Sequence, residues 1–282
     1  MRWAPVVVVA LAASALSGCA PAAVQLPAGV TVSVFQNRFD YSLRQLELAV
    51  QNSTSTPITV TGASFVSTRF ATPATWTRPQ EIPDAATRDL KVQLTDPVCD
   101  GGTPSDTVEL SFTLADGRSG TATLIPTDEQ KKVDAINNED CLGVSVAAIA
   151  AITPPDQAVW TPGAHAPALV ELAVTPTGAD GSFTINFAKG TVLLSLVDEA
   201  SGQPYDMQLG QVVDAKAGAS VIPLEVVPAR CDPHAIEEDK RGTFFPLDIQ
   251  ASDGRAGRLY IAVSDEVRRS LYDFYADYCG LP

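Results

Sequence analysis

Nucleophilic catalysis needs a reactive side chain beside a base, and this chain of 282 residues offers two histidines, His165 and His234, for the task. His165 stands in a Pro/Ala stretch and His234 follows Cys231-Asp232-Pro233, settings of loop residues rather than of general bases. No P-loop, dinucleotide fingerprint, H-E-x-x-H or EF-hand loop is present, so the sequence implies no cofactor. Paired carboxylates leave no fixed spacing, and with 33 acids in the chain a carboxylate-dependent hydrolase stays only as the lesser alternative. Glu237-Glu238-Asp239 and Asn137-Asn138-Glu139-Asp140 read as acid-rich loops able to offer hard oxygen ligands to calcium. Neither has an ordered ligand spacing, so solvated loop charge is expected and no metal site is assigned. The sequence predicts no enzyme.

The N-terminus carries a different chemistry. Arg2, the apolar run Val6 to Leu16 and the small pair Ser17-Gly18 follow the order of a secretory signal, too short to span a bilayer. With Cys19 after them, Leu16-Ser17-Gly18-Cys19 resembles the lipobox of bacterial lipoproteins. The resemblance implies that residues 1–18 are removed as a signal peptide and that the Cys19 thiol receives a diacylglyceryl group. Further acylation of the new N-terminus, with palmitate for example, would add a chain. Two or three acyl chains hold a protein on a membrane where one binds only marginally. Residues 19–27, rich in Ala and Pro, are then expected to be a flexible or extended tether. No later segment reaches the ~18 unbroken apolar residues of a membrane helix, so the rest is expected to be soluble.

Taking Cys19 as the lipid site leaves Cys99, Cys141, Cys231 and Cys279, an even set in an exported chain, where disulfides persist. No two form a C-x-x-C pair, which argues against zinc. The formal charge is −14, and loss of residues 1–18 removes Arg2 and no acid, leaving −15. So acidic a chain is repelled by nucleic acid and by anionic headgroups, and needs its anchor to stay at a membrane.

An internal repeat organises the remainder. Leu110 to Gly120, with Asp116-Gly117-Arg118, aligns without gaps on Leu247 to Gly257, with Asp253-Gly254-Arg255. Thr127 to Lys132 follows onto Ser264 to Arg269, Glu47-Leu48-Ala49-Val50 answers Glu171 to Val174, and Gly29 to Val32 answers Gly143 to Val146. Cys99-Asp100 matches Cys231-Asp232, and Cys141 matches Cys279. A tandem duplication is expected, with units at 28–141 and 142–282, each closing its own bridge: Cys99 to Cys141 and Cys231 to Cys279. Loops of a little over forty residues give each bridge about 4 kcal/mol in the chain-entropy model.

Within a unit the apolar period is two. Leu46 to Val50, Ile58 to Thr61, Leu90 to Leu94 and Val108 to Leu114 alternate as strands with one buried face do. The two Asp-Gly-Arg runs lie between such segments and predict hairpin tips, since glycine supplies the positive φ. Arg118 and Arg255 are expected to pair with Asp100 and Asp232. Ala71 to Arg88 with Trp76, and Thr153 to Pro167 with Trp160, read as long Pro-rich loops with each Trp packed on its own unit. Each unit should end in a helix: Ser264 caps one in which Val267, Leu271, Phe274 and Tyr278 form a stripe, and Thr127 with Gln130 makes a capping box for the other. The aromatics Tyr272, Phe274, Tyr275 and Tyr278 are assigned to helix packing. Val144-Ser145-Val146 is expected to open the second unit as a strand.

The fold expected is all-β: two tandem immunoglobulin-like antiparallel β-sandwich domains, each with a short C-terminal helix. The function expected is that of a lipid-anchored extracytoplasmic lipoprotein at the cell membrane, acting as a non-catalytic module that docks a protein or envelope component. A solute- or cation-binding lipoprotein using the inter-domain cleft is the alternative. Neither involves nucleic acid.

Overall fold

A computed structural model describes residues 23–100, 102–197, 206–232, 234–239 and 243–281. The expected signal peptide and Cys19 lie outside them.

The alternating segments form strands in the first repeat: β1 (Val30–Phe35), β2 (Gln45–Asn52), β3 (Ile58–Ser67), β4 (Ala74–Trp76), β5 (Gln80–Ile82), β6 (Ala86–Gln93), β7 (Asp106–Leu114) and β8 (Ser119–Leu124), with one helical turn, α1 (Asp40–Leu43), after β1. A long helix α2 (Lys132–Ile149) follows. The second repeat comprises β9 (Ala150–Thr153), β10 (Ala168–Pro176), β11 (Ser182–Lys189), β12 (Leu194–Leu196), β13 (Asp206–Asp214), β14 (Ser220–Pro228), α3 (His234–Glu238), β15 (Phe244–Ala251), β16 (Ala256–Ala262) and α4 (Asp265–Cys279).

Each repeat is an antiparallel sandwich of immunoglobulin-like type. In the first, sheet β1-β2-β6 faces sheet β4-β3-β7-β8, with β5 also on β3; in the second, β9-β10-β14-β12 faces β13-β11-β15-β16. The duplication is visible in the registers. Val50 pairs with Val32 on β1 as its counterpart Val174 pairs with Ile152 on β9. Leu48 opposes Leu90 as Leu172 opposes Ile222. Inward residues of both sheets make two cores, one around Leu46, Leu48, Phe65 and Leu110, the other around Val170, Leu172, Ile185, Leu247 and Tyr275.

The two hairpins match bond for bond. Leu114 N–H donates to the Arg118 carbonyl at 2.8 Å, and Ala251 N–H to that of Arg255 at 2.8 Å. Gly117 and Gly254 take φ of 84° and 94°, which is why the tip needs glycine. Asp116 and Asp253 each accept the N–H two residues on, at 3.0 Å.

Several sequence expectations need correction. Gly143 to Val146 is not the counterpart of Gly29 to Val32: it lies inside α2, and β9 takes the place of β1. The expected boundary at 141/142 therefore falls within a helix. Buried Val133 and Cys141 lie on one side of α2 and Leu142, Val146 and Ile149 on the roughly opposite side. The first set serves the first repeat and the second set the second core. Thr127 and Gln130 form no capping box. Instead the Asp128 carboxylate accepts the N–H groups of Lys132 and Val133 at 2.8 and 2.9 Å, while Thr127 joins β1 through Val32 and Val34. Ala71 to Arg88 is no long irregular loop, because it contains β4 and β5. At the other helix the cap holds, Ser264 accepting the Val267 N–H at 3.3 Å, and Val267, Leu271 and Phe274 are buried as expected, but the fourth fully buried residue is Tyr275 while Tyr278 is only partly buried.

Candidate functional site

The four cysteines pair as the duplication requires, Cys99 with Cys141 and Cys231 with Cys279. One bridge ties the middle of α2 to the β6–β7 connection; the other ties the end of α4 to the β14–β15 connection. Tyr275 reinforces the second, its hydroxyl accepting the Asp232 N–H at 3.0 Å and donating to the Arg230 carbonyl.

Each histidine faces a structural partner. His165 Nδ1 meets the Tyr278 carbonyl at 2.9 Å in the loop before β10, and His234 lies 3.4 Å from Glu237. Trp160 in that loop packs edge-on against Phe274 with ring centroids 5.9 Å apart, and Trp76 donates to the Arg78 carbonyl beneath the Arg78 guanidinium. Both tryptophans thus pack on their own repeats.

The acid-rich segments are helical rather than loops, although Glu237 and Glu238 are solvent-exposed as expected. Asn137 to Asp140 belongs to α2, where Asn137 donates to the Arg69 carbonyl at 3.0 Å and Asp140 pairs with Arg44 at 2.6 Å. Burial pushes the Asp140 carboxyl above its ordinary range despite the Arg44 guanidinium. Glu238 pairs with Arg230, and Asp239 accepts the hydroxyls of Thr243 and Tyr272. Among the described residues no three His, Cys, Asp or Glu side chains gather as a metal site.

Among the described residues one carboxylate pair is buried. Asp40 and Glu47, 0% and 4% exposed, share Lys91 at 2.7 and 3.1 Å. Asn37 donates to both, through its backbone N–H and its amide. The bonds to Asp40, then those to Glu47, hold the Lys91 ammonium above its ordinary value. Lys91 offsets one of the two negative charges and Asn37 donates to both carboxylates, which suits a clamp between β2 and β6 rather than an acid–base pair. The second repeat places Pro223 opposite Glu171, so the duplication did not keep this clamp.

The sequence pointed to an inter-domain cleft but not to the residues that build the junction between repeats. Arg118 and Arg255 do not pair with Asp100 and Asp232: Arg118 bonds Asp116, and Arg255 bonds Asp253 and reaches across to the Cys99 carbonyl. Asp253 also accepts the Ser145 hydroxyl at 2.6 Å. That bond, followed by the Arg255 backbone and guanidinium, pushes the Asp253 carboxyl down to about 2. Asn138 donates to the Ala256 carbonyl, completing the seam between α2 and the β15–β16 hairpin. The readable signal was the helical spacing of Leu142, Val146 and Ile149, masked by the sequence match to β1.

Beside this seam lies a cleft of about 280 Å³ between α1 and the second repeat, lined by Tyr41, Glu139, Phe244, Tyr260, Val263 and Arg268 among others. Phe244 and Tyr260 meet edge to face at 5.0 Å. Phe39, which precedes α1, and Leu43, which ends it, are 57% and 56% exposed and stand either side in sequence of Tyr41 and Ser42, which line the cleft. A single acid and a single guanidinium among aromatic walls suit an apolar or amphipathic group better than a cation.

These features define a tandem immunoglobulin-like β-sandwich protein with disulfide-stapled helices. No family model and no curated protein matches the chain. Among solved structures it is similar to red sea bream transglutaminase at 9% identity and TM-score 0.22, over 85% of this chain and 32% of that one, so it spans about a third of that protein. The calcium binding domain CBD12 of CALX1.1 matches at 10% identity and TM-score 0.20, over 79% and 77% of the two chains. The YadV chaperone matches at 11% and 0.19, over 77% and 92%. These likenesses assign no activity, ligand or partner.

Proposed function

We propose that the protein is a lipid-anchored extracytoplasmic lipoprotein of the cell membrane whose folded repeats form a non-catalytic interaction module. The observation that carries this reading is the partition of the cysteines. Four close two bridges, one per repeat, leaving Cys19 of Leu16-Ser17-Gly18-Cys19 as the odd sulfur in a chain with an export leader. Bridges of this kind belong to an oxidising compartment, and a thiol outside them is the acceptor a lipobox needs. The internal engagement of the histidines and of the buried carboxylates favours recognition over chemistry.

The docking surface is assigned to the rim of the junction cleft, where Phe39 and Leu43 expose apolar area beside aromatic walls. Photo-crosslinking amino acids at Phe39 and Leu43 in living cells should give discrete adducts absent when the same group replaces Val192, an exposed residue of the second repeat. Adducts at neither rim position would sink the docking assignment. Radiolabelled palmitate should enter the wild-type chain and not Cys19→Ser, and labelling that persists in that variant would remove the anchor. The cleft also supports a second reading, binding of a small amphipathic solute. Heat released on titrating solutes into the soluble domain, lost in Tyr260→Ala, would favour it.

A further inference from the structure

We propose that the chain leaves the membrane along the outer side of β8, so that the Asp116–Arg118 hairpin tip is the membrane-facing end of the folded protein. This rests on the lipid-anchor reading, and it replaces a loose tether with a fixed strap. Ala23 to Ala28 is not free: Leu26 packs against the first core, and a turn closes where the Pro27 carbonyl accepts the Val30 N–H at 3.0 Å. Val24 lies so close to β8 that a methyl on Gly120 would sit 2.7 Å from the Val24 carbonyl oxygen and 3.1 Å from its Cβ, with Phe112 Cζ of β7 also 3.0 Å away.

The duplication gives this contact an independent meaning. Gly257 is the counterpart of Gly120, and a methyl there would sit 3.1 Å from Asn138 Nδ2 and 3.5 Å from Leu142 Cδ2 of α2. Each hairpin is thus covered by the segment that precedes its own repeat: α2 over the second, the N-terminal strap over the first. Glycine stands at both positions because something lies on top. Two further contacts fix the direction. Val32 and Val34 bond Thr127, just beyond the end of β8, whereas Val24 lies at Gly120, near its start. The strap therefore runs parallel to β8, and going backwards along it leads towards the hairpin tip.

Val24 lies five residue steps after Cys19, a reach of at most about 18 Å. Lipid on Cys19 must then hold the Gly120 end of β8 close to the headgroups. The surface it presents is fit for that place: Ser119 to Leu124 carries no charge in a chain of formal charge −14, and Arg118 neutralises Asp116 beside it. Anionic headgroups repel the rest of the protein more than this edge.

The test uses the full lipidated protein in phosphatidylethanolamine/phosphatidylglycerol vesicles with headgroup spin labels, and a fluorescent amino acid at Arg118, Ile125 or Val159. Arg118 and Ile125 lie about 23 Å apart along the strand. Quenching at Arg118 is expected to exceed that at Ile125 and Val159 several-fold. Equal quenching at Arg118 and Ile125, or stronger quenching at Val159, overturns the orientation. Gly120→Val, which displaces the strap, should erase the Arg118 preference while circular dichroism stays unchanged, and a preference that survives in a folded variant overturns the strap. Vesicle flotation separates this from the reading beneath it: flotation that Cys19→Ser does not abolish would overturn the anchor itself.

Discussion

If α2 is one helix serving two cores, replacing Gly143 by alanine should stabilise the protein. Gly143 lies inside the helix with an ordinary negative φ, and a methyl there would meet only Leu259 Cδ1, at 3.6 Å. Glycine in a helix interior costs about 1 kcal/mol relative to alanine. Part of a methylene's ~0.8 kcal/mol is added where the new methyl is covered by Leu259. The expected gain is about 1 kcal/mol, a rise in Tm of roughly 2–4 °C for a chain of this size. Alanine would also gain about 0.5–1 kcal/mol over glycine inside a strand, so the separation of helix from strand rests on the proline variant. Gly143→Pro is the counterpart, costing about 3 kcal/mol or more by breaking the helix. The assay is chemical and thermal unfolding of the soluble domain with Trp76 reporting the first repeat and Trp160 the second, each in a variant lacking the other tryptophan. Coincident transitions should separate in Gly143→Pro. A Gly143→Ala variant with an unchanged or lowered midpoint, or a proline variant whose two reporters still coincide, would refute the shared helix.

Two further outcomes follow from the same geometry. Replacing both members of either disulfide by serine should lower stability by about 4 kcal/mol for loops of 42 and 48 residues, read as a shift in urea midpoint; a loss under 1 kcal/mol would mean the denatured chain is restrained by other means. Asp253 has its pKa lowered in the folded state, so its contribution to the junction is present above the ordinary carboxylate range and lost as pH falls from about 4 to about 2. The stability gap between wild type and Asp253→Asn, from urea midpoints, should close over that window, and a gap independent of pH would remove the assignment.

What the sequence determined by itself was local or symmetric. Alternating apolar residues gave the strands, Asp-Gly placed both hairpin tips, and Ser264 with Asp265 and Glu266 gave the start of α4, because each depends on neighbours a few residues away. The disulfide pairing is long-range, yet the duplication made it legible. Tertiary structure alone decided what lies between the repeats. A helix facing one core presents a single apolar stripe, as α4 does, but α2 turns one side to the first repeat and the roughly opposite side to the second, so its pattern blurs and Gly143-Val144-Ser145-Val146 passes for a strand. The partners of Arg255, Ser145 and Asn138 follow from that packing, and so does the strap over Gly120. Which surface a side chain meets depends on how two finished domains sit on one shared helix, and no local spacing encodes it.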